Sequence, residues 1–274
     1  MEEQTFASQL NDVLGTISGF VWGPWLLIPL LFGTGLVLTI RMRGVQFRKL
    51  GVALRHGLLD RDDEGGEGDI SQYQALTTAL AATVGVGNIV GVATALSIGG
   101  PGALFWMWVT GLVGMASKYA EAFLGVRFRT TDKKGNISGG PQRYLEHGIK
   151  GGLGKFLAWF FAIAAVIASF GIGNLTQANA VAEGLQDTFD IDPRLTAVFL
   201  FVGIGAVLMG GIKSIGTVTS GFVPMMIVIY LGGGIIVLIK HAAEIPAAFG
   251  MIFSDAFTGT SAVGGFIGSS IIIV

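Results

Sequence analysis

Two short groups of residues stand out for their chemistry, both within sequence that carries no charge. The first is Gly85-Val86-Gly87-Asn88, inside the run "TVGVGNIVGVATALSIGGPGALFWMW" from Thr83 to Trp108. Its glycines at 85, 87 and 91 do not have the G-x-G-x-x-G spacing of a dinucleotide loop, and no strand precedes them. Two readings remain. Small residues at Gly85, Gly87, Gly91 and Ala95 would let helix backbones approach closely. Alternatively, the glycines and Asn88 make local unwinding cheap, so that a helix breaks and its freed backbone groups line a polar cavity. The carbonyls ending the first half-helix would then suit a cation, and the amides opening the second would suit a carboxylate. The second group is Phe170, Asn174, Gln177 and Asn179, after Gly171 and Gly173. Asn174 and Gln177 are three apart, and Phe170 lies one turn earlier, so these three can share a helix face. Their amides are costly to leave unpaired in an apolar medium. They either glue helices together or border a cavity, with Gln177 donating to a ligand carboxylate and Phe170 closing the apolar side.

Other candidates carry less. Asp60, Asp62, Glu64 and Gly65 imitate the start of a calcium loop, but Ser71 occupies the twelfth position where a bidentate Glu belongs. A solvated loop is the better reading, with Asp69 capping the next helix and Gln72 returning the bond. Lys118 and Glu121 read as an ion pair at a membrane surface rather than a proton relay. His56, His147 and His241 show no ligand spacing. The absence of cysteine excludes disulfide and thiolate chemistry.

The elements that must position these residues are transmembrane helices. Half the chain is hydrophobic (51%), 13% is charged, 44 of the 274 residues are glycine, and the mean hydropathy is +0.68. That composition excludes an ordinary soluble domain. Uncharged runs at 20–40, 70–117, 156–182, 195–212 and 214–239 reach the roughly 20 residues a bilayer crossing requires. The second run holds two spans, folded back at Gly99-Gly100-Pro101-Gly102. A further apolar stretch begins at Ala262.

Basic residues set orientation, because Lys and Arg near span ends stay cytoplasmic. Arg41, Arg43, Arg48, Lys49, Arg55 and Arg61 fall in one loop, eight more lie between Lys118 and Lys155, and Lys213 joins them, leaving only Arg194 and Lys240 opposite. The N-terminus, with Glu2, Glu3 and Asp12 and no basic residue before Arg41, is therefore expected outside, followed by six alternating spans. It lacks the positive leader of a cleavable signal peptide. The net charge of -1 gives no reason to expect a nucleic-acid partner.

The run "TVGVGNIVGVATALSIGGPGALFWMWVTGLVGMASKYAEAFLGVRFR", with "FGIGNLTQANAVAEGL" and "LMGGIKSIGTVTSGFVPMM", resembles the sodium:alanine symporter family, the alanine or glycine:cation symporters. The likeness runs from "FVWGPWLL" to the end. It implies an all-α polytopic membrane protein of the LeuT type, built on two inverted five-helix repeats with one extra helix ahead of them. On that reading residues 1–19 are an external N-terminus, 20–40 the extra transmembrane helix and 41–71 a cytoplasmic loop. Residues 72–240 form the first transmembrane repeat, with 72–98 as its broken core helix. An external connection follows at 241–264, and the sixth core helix starts at 265–274 and is cut short. The chain thus corresponds to the N-terminal part of the family's length, and lacks the family's later "RGxFSNEAG" signature. Val86 stands where many members carry threonine.

The resemblance further implies sodium-coupled symport of a small neutral amino acid, alanine or glycine, by alternating access at the cell membrane. No cofactor is implied; sodium is the coupling ion. The substrate set is Gly85, Val86, Gly87, Asn88, Phe170, Asn174 and Gln177. The sodium set is Thr83 and Asn88 with backbone carbonyls, since residues 72–98 contain no acidic side chain. Sodium and the substrate carboxylate would then favour each other's binding. A channel or pore subunit, or a non-transporting half or scaffold, are the alternatives, and oligomeric state is open. Lacking the second repeat, the chain alone is not expected to accumulate substrate.

Overall fold

The computed structural model describes residues 6–21, 26–58, 68–131, 135, 137–258, 261 and 264. In chain order the helices are α1 (Phe6–Val21), α2 (Leu27–Arg41), α3 (Val45–Arg48), α4 (Leu50–Leu58), α5 (Gln72–Thr83), α6 (Val92–Gly99), α7 (Ala103–Arg127), α8 (Pro141–Gly148), α9 (Gly152–Phe170), α10 (Thr176–Phe189), α11 (Pro193–Met209), α12 (Gly211–Lys240) and α13 (Ile245–Asp255). One antiparallel pair, β1 (Thr130–Thr131) and β2 (Ile137–Ser138), lies between α7 and α8 with Thr130 opposite Ser138. π turns at Gly87–Gly91 and Gly171–Leu175 precede α6 and α10. The protein is an all-α membrane protein. Among the described residues, α12 and the continuous path Gly152–Phe189 are each long and apolar enough to cross a bilayer. Gln72–Thr83 with Gly87–Gly99 passes as one interrupted span, and α2 and α11 are shorter apolar helices. The calcium-like residues at 60–65 and the segment 265–274 lie outside the described residues.

The chain forms two compact units. The first comprises residues 1–47, 87–118 and 241–274. Within it α2 and α7 meet at Gly35, where a Cβ would lie 2.9 Å from the Val113 carbonyl oxygen. Gln46 is buried and donates to Thr39 Oγ1 (3.0 Å) and Leu112 O (3.4 Å), tying the turn after α2 to α7. After α6 the chain reverses at 99–102, with Gly100 at φ +67, a conformation that glycine adopts without penalty. The residues following α13 pack over this turn. Ser261 Oγ donates to Gly99 O at 2.7 Å, satisfying a helix-terminal carbonyl, and the Trp106 indole N–H donates to Ala256 O. Phe105 packs against Phe253 and Phe257 at ring separations of 5.8 and 5.6 Å.

The second unit comprises residues 48–86 and 119–240. Here the cap of α5 lies two residues later than the Asp69 reading expects. Ser71 Oγ accepts from Gln74 N (3.2 Å) and Gln74 Oε1 accepts from Ser71 N (3.1 Å), because the first helical residue is Gln72 and Gln74 is therefore the third. α5 packs on α12 through small and hydroxyl-bearing residues. Gly216 sits beneath Ile70 and Gln74, Thr78 and Thr219 share a hydrogen bond of 3.0 Å, and buried Thr77 turns its hydroxyl onto Tyr73 O. α8 is followed directly by α9, and Arg143 bridges Ser138 Oγ (3.2 Å) and Glu146 (3.4 Å). Burial raises the Tyr144 phenol above its ordinary value, and the Glu121 carboxylate raises it further. A tight turn joins α10 to α11: Asp190 takes φ +55, and Asp192 caps α11 by accepting from Arg194 N at 2.8 Å.

Candidate functional site

α5 ends at Thr83 because Val84 turns to extended geometry (φ -91, ψ 98). Helical structure resumes in the π turn Gly87–Gly91, so the path from Gln72 to Gly99 is interrupted at the glycines. The interruption leaves backbone groups without intrahelical partners. One is met from another helix: the Val86 N–H donates to Gln177 Oε1 at 3.4 Å. Gly85 lies beside the same oxygen, where a Cβ would stand at an ordinary 3.5 Å, so space does not demand this glycine.

With its oxygen turned to Val86, Gln177 offers Nε2 as its free donor. That nitrogen bears two protons and has no hydrogen-bond partner among the described residues. Gln177 thus takes one backbone donor at the break and keeps two amide protons uncommitted. A group meeting it there must be an acceptor, and a carboxylate gives the stronger, charge-assisted bond.

Phe170, Asn174 and Gln177 lie along one side of a groove of about 1050 Å³, whose opposite wall is α11 at Leu200, Ile204 and Leu208. The Asn174 amide makes no hydrogen bond among the described residues, whereas Asn179 donates to Glu183 Oε1 at 2.8 Å on its own helix. Thr83 is exposed and donates its hydroxyl proton to Ala79 O at 2.8 Å, which leaves the hydroxyl oxygen as an acceptor for a cation. Gly87 and Asn88 open the π turn; both are half-buried, and the Asn88 amide is unpaired among the described residues. The direct contacts thus join Gln177 to Gly85 and Val86, and the groove joins Phe170 and Asn174 to Gln177.

One signal escapes the reading by helix face. Gly85-Val86-Gly87-Asn88-Ile89 and Gly171-Ile172-Gly173-Asn174-Leu175 are the same pattern, G-Φ-G-N-Φ with Φ aliphatic; the first runs into the π turn at Gly87–Gly91 and the second coincides with the π turn at Gly171–Leu175. Insertions of this kind recur at functional positions in helices. The Tyr73 and Thr219 contacts across α5 and α12 have no comparable mark in the sequence.

The model of the sodium:alanine symporter family matches residues 7–274, nearly the whole chain. The chain belongs to the sodium:alanine symporter family. Among curated relatives it is 48% identical over 261 residues to the sodium/alanine symporter AgcS of Methanococcus maripaludis, covering 95% of this chain and 57% of that protein. It is 36% identical to the putative sodium/proton-dependent alanine carrier protein YrbD of Bacillus subtilis, covering 96% of this chain and 52% of YrbD. Against the probable sodium/glutamine symporter GlnT of the same organism the identity is 31%, covering 96% of this chain and 54% of GlnT. The chain thus spans little more than half the length of these symporter-family relatives. Their printed names share sodium and an amino acid but differ in which amino acid.

Proposed function

We propose that the protein carrying this chain is a sodium-coupled symporter of small neutral amino acids, alanine or glycine, working by alternating access in the cell membrane with its N-terminus outside. The observation that carries this reading is the contact of Gln177 Oε1 with the Val86 N–H, which leaves Nε2 as a donor beside a broken helix. The substrate carboxylate takes Nε2 and the amides opening the second half-helix, where the helix dipole also favours negative charge. Gly85, Gly87, Asn88 and Asn174 complete the polar wall, and Val86 and Phe170 bound it with apolar surface. Sodium is held by Thr83, Asn88 and the carbonyls ending α5, the negative end of that half-helix. No side chain in 72–98 is acidic, so the substrate carboxylate supplies the negative charge nearest the ion. That shared charge couples the two gradients, since each ligand lowers the cost of binding the other. Relatives named as symporters and carriers support transport over the channel and scaffold alternatives. The LeuT-type arrangement of inverted repeats is what the resemblance implies for the fold of the whole transporter.

The test is Gln177→Ala in the complete transporter, reconstituted with labelled alanine and a sodium gradient. Removing a donor to a bound carboxylate costs about 1 to 3 kcal/mol, so kcat/KM for alanine should fall roughly 5- to 150-fold with protein yield unchanged. Unchanged uptake in a well-expressed variant would leave Gln177 as a helix-packing residue and remove this reading.

A further inference from the structure

A π turn closes its hydrogen bonds from residue i to i-5 and so absorbs one residue more than an α turn. Everything after it is rotated by one residue, about 100°, relative to an uninterrupted helix. The turn at Gly171–Leu175 therefore decides which side chain of α10 faces the helix break. With the extra residue absorbed, Gln177 occupies the place that residue 176 would take on a continuous α-helix running out of α9. Were the turn to relax, Thr176 would stand there instead, with a side chain too short to reach the Val86 N–H from the same backbone position.

Both glycines of this turn are free of packing demands. A Cβ at Gly171 would meet nothing within 4 Å, and one at Gly173 would come no closer than 3.6 Å, to the Ala168 carbonyl oxygen. Gly171 instead takes ψ -94 at φ -86, outside the α range that residues with a Cβ prefer. What the glycines supply is a low preference for the α-helix, about fivefold weaker than alanine at each position. The same five-residue pattern at 85–89 overlaps the π turn at Gly87–Gly91, starting two residues before it, so both copies of the pattern lie where α geometry is interrupted.

We infer that Gly171 and Gly173 are positioning residues, whose π turn sets the rotational register of α10 so that Gln177 rather than Thr176 meets Val86 at the break. The inference rests on the reading of Gln177 as the carboxylate-binding residue for its functional meaning, but not for its geometry. Neither glycine touches substrate; both act through Gln177.

The chain lacks cysteine, so register can be read by thiol cross-linking of the full chain in membranes, without any ligand. A Gly85→Cys/Gln177→Cys pair should cross-link with a short bifunctional thiol reagent, and Gly85→Cys/Thr176→Cys should not. Adding Gly171→Ala and Gly173→Ala should reverse that preference. Deleting Ile172 should preserve the 85–177 cross-link, since removing the absorbed residue straightens the turn without rotating α10. Deleting Ala165, in the regular part of α9, should abolish it. In the complete transporter the double alanine variant should raise KM for alanine at least fivefold, and the Ile172 deletion should restore it. An 85–177 cross-link of parental yield in the double alanine variant overturns the inference, whether or not the deletion variants insert. If the cross-links shift as expected while Gln177→Ala transports normally, the register assignment stands and the substrate reading falls.

Discussion

Pro224 lies inside α12 and has no N–H, so the carbonyl four residues earlier, on Ser220, loses its helical donor. In a bilayer no water replaces it. The Tyr73 hydroxyl on α5 donates to Ser220 O at 3.5 Å and supplies that missing bond from a neighbouring helix. This gives Tyr73 a function that its position in an apolar helix would not suggest. Tyr73→Phe should destabilise the protein by about 1 kcal/mol, the usual net value of one hydrogen bond. Pro224→Ala restores the N–H within α12, so in that background the same substitution should cost almost nothing. A double-mutant cycle of thermal stability in detergent reads the difference as a coupling energy. A Tyr73→Phe cost unchanged by Pro224→Ala would mean that the hydroxyl serves another partner.

Elements of this chain are joined where backbones come unusually close, and the turn between α6 and α7 is one such place. A Cβ on Gly102 would fall 2.6 Å from the Ala256 nitrogen, against backbone that cannot swing aside as a side chain would. Gly102→Ala should therefore cost about 1 to 3 kcal/mol by overpacking. It should also expose Trp106, whose indole bonds to Ala256 O, so tryptophan fluorescence during unfolding should report it. A variant as stable as the parent, with unchanged fluorescence, would show that α13 and the turn separate freely. The run Gly99-Gly100-Pro101-Gly102 was legible as a turn because each residue type restricts or releases the backbone in a known way. The glycines at 85 and 87 were legible for the same reason, and α5 ends beside them. The second π turn was not, because an apolar run with a 3.6-residue period looks alike whether or not one turn has absorbed an extra residue. The cap of α5 is displaced by two residues from the Asp69 reading because Asp69 and Ser71 are both good caps, and only the backbone conformation of Ser71 decides between them. The Gln177 contact with Val86 spans 91 positions in the chain, and nothing local in the sequence records such a pairing.

At the scale of the whole molecule, the pattern of exposure suits a membrane protein. Phe199, Phe201 and Met209 on α11 are 76%, 81% and 90% exposed, and α9 and α12 carry similar apolar faces. Such surface in water would be an aggregation hazard, whereas in lipid it costs nothing. Which way the helices thread the bilayer follows from charge, since Lys and Arg are costly to carry across and are retained on the cytoplasmic side. Arg48, Lys49 and Arg55 lie in or between α3 and α4, and Lys150 and Lys155 flank the start of α9. Asp187, Asp190 and Asp192 lie beside the turn from α10 to α11, with Arg194 the only basic residue near it. One crossing by α9 and α10 separates the two groups, so the acidic turn is expected outside and the basic segments inside. In whole cells, a membrane-impermeant maleimide should label Asp187→Cys readily and Arg55→Cys or Lys150→Cys only after permeabilisation. The cysteine-free background leaves each signal unambiguous. Labelling of Arg55→Cys from outside, with Asp187→Cys protected, would invert the protein in the membrane, so that α5 would start at the exterior and direct its carbonyl end towards the cytoplasm.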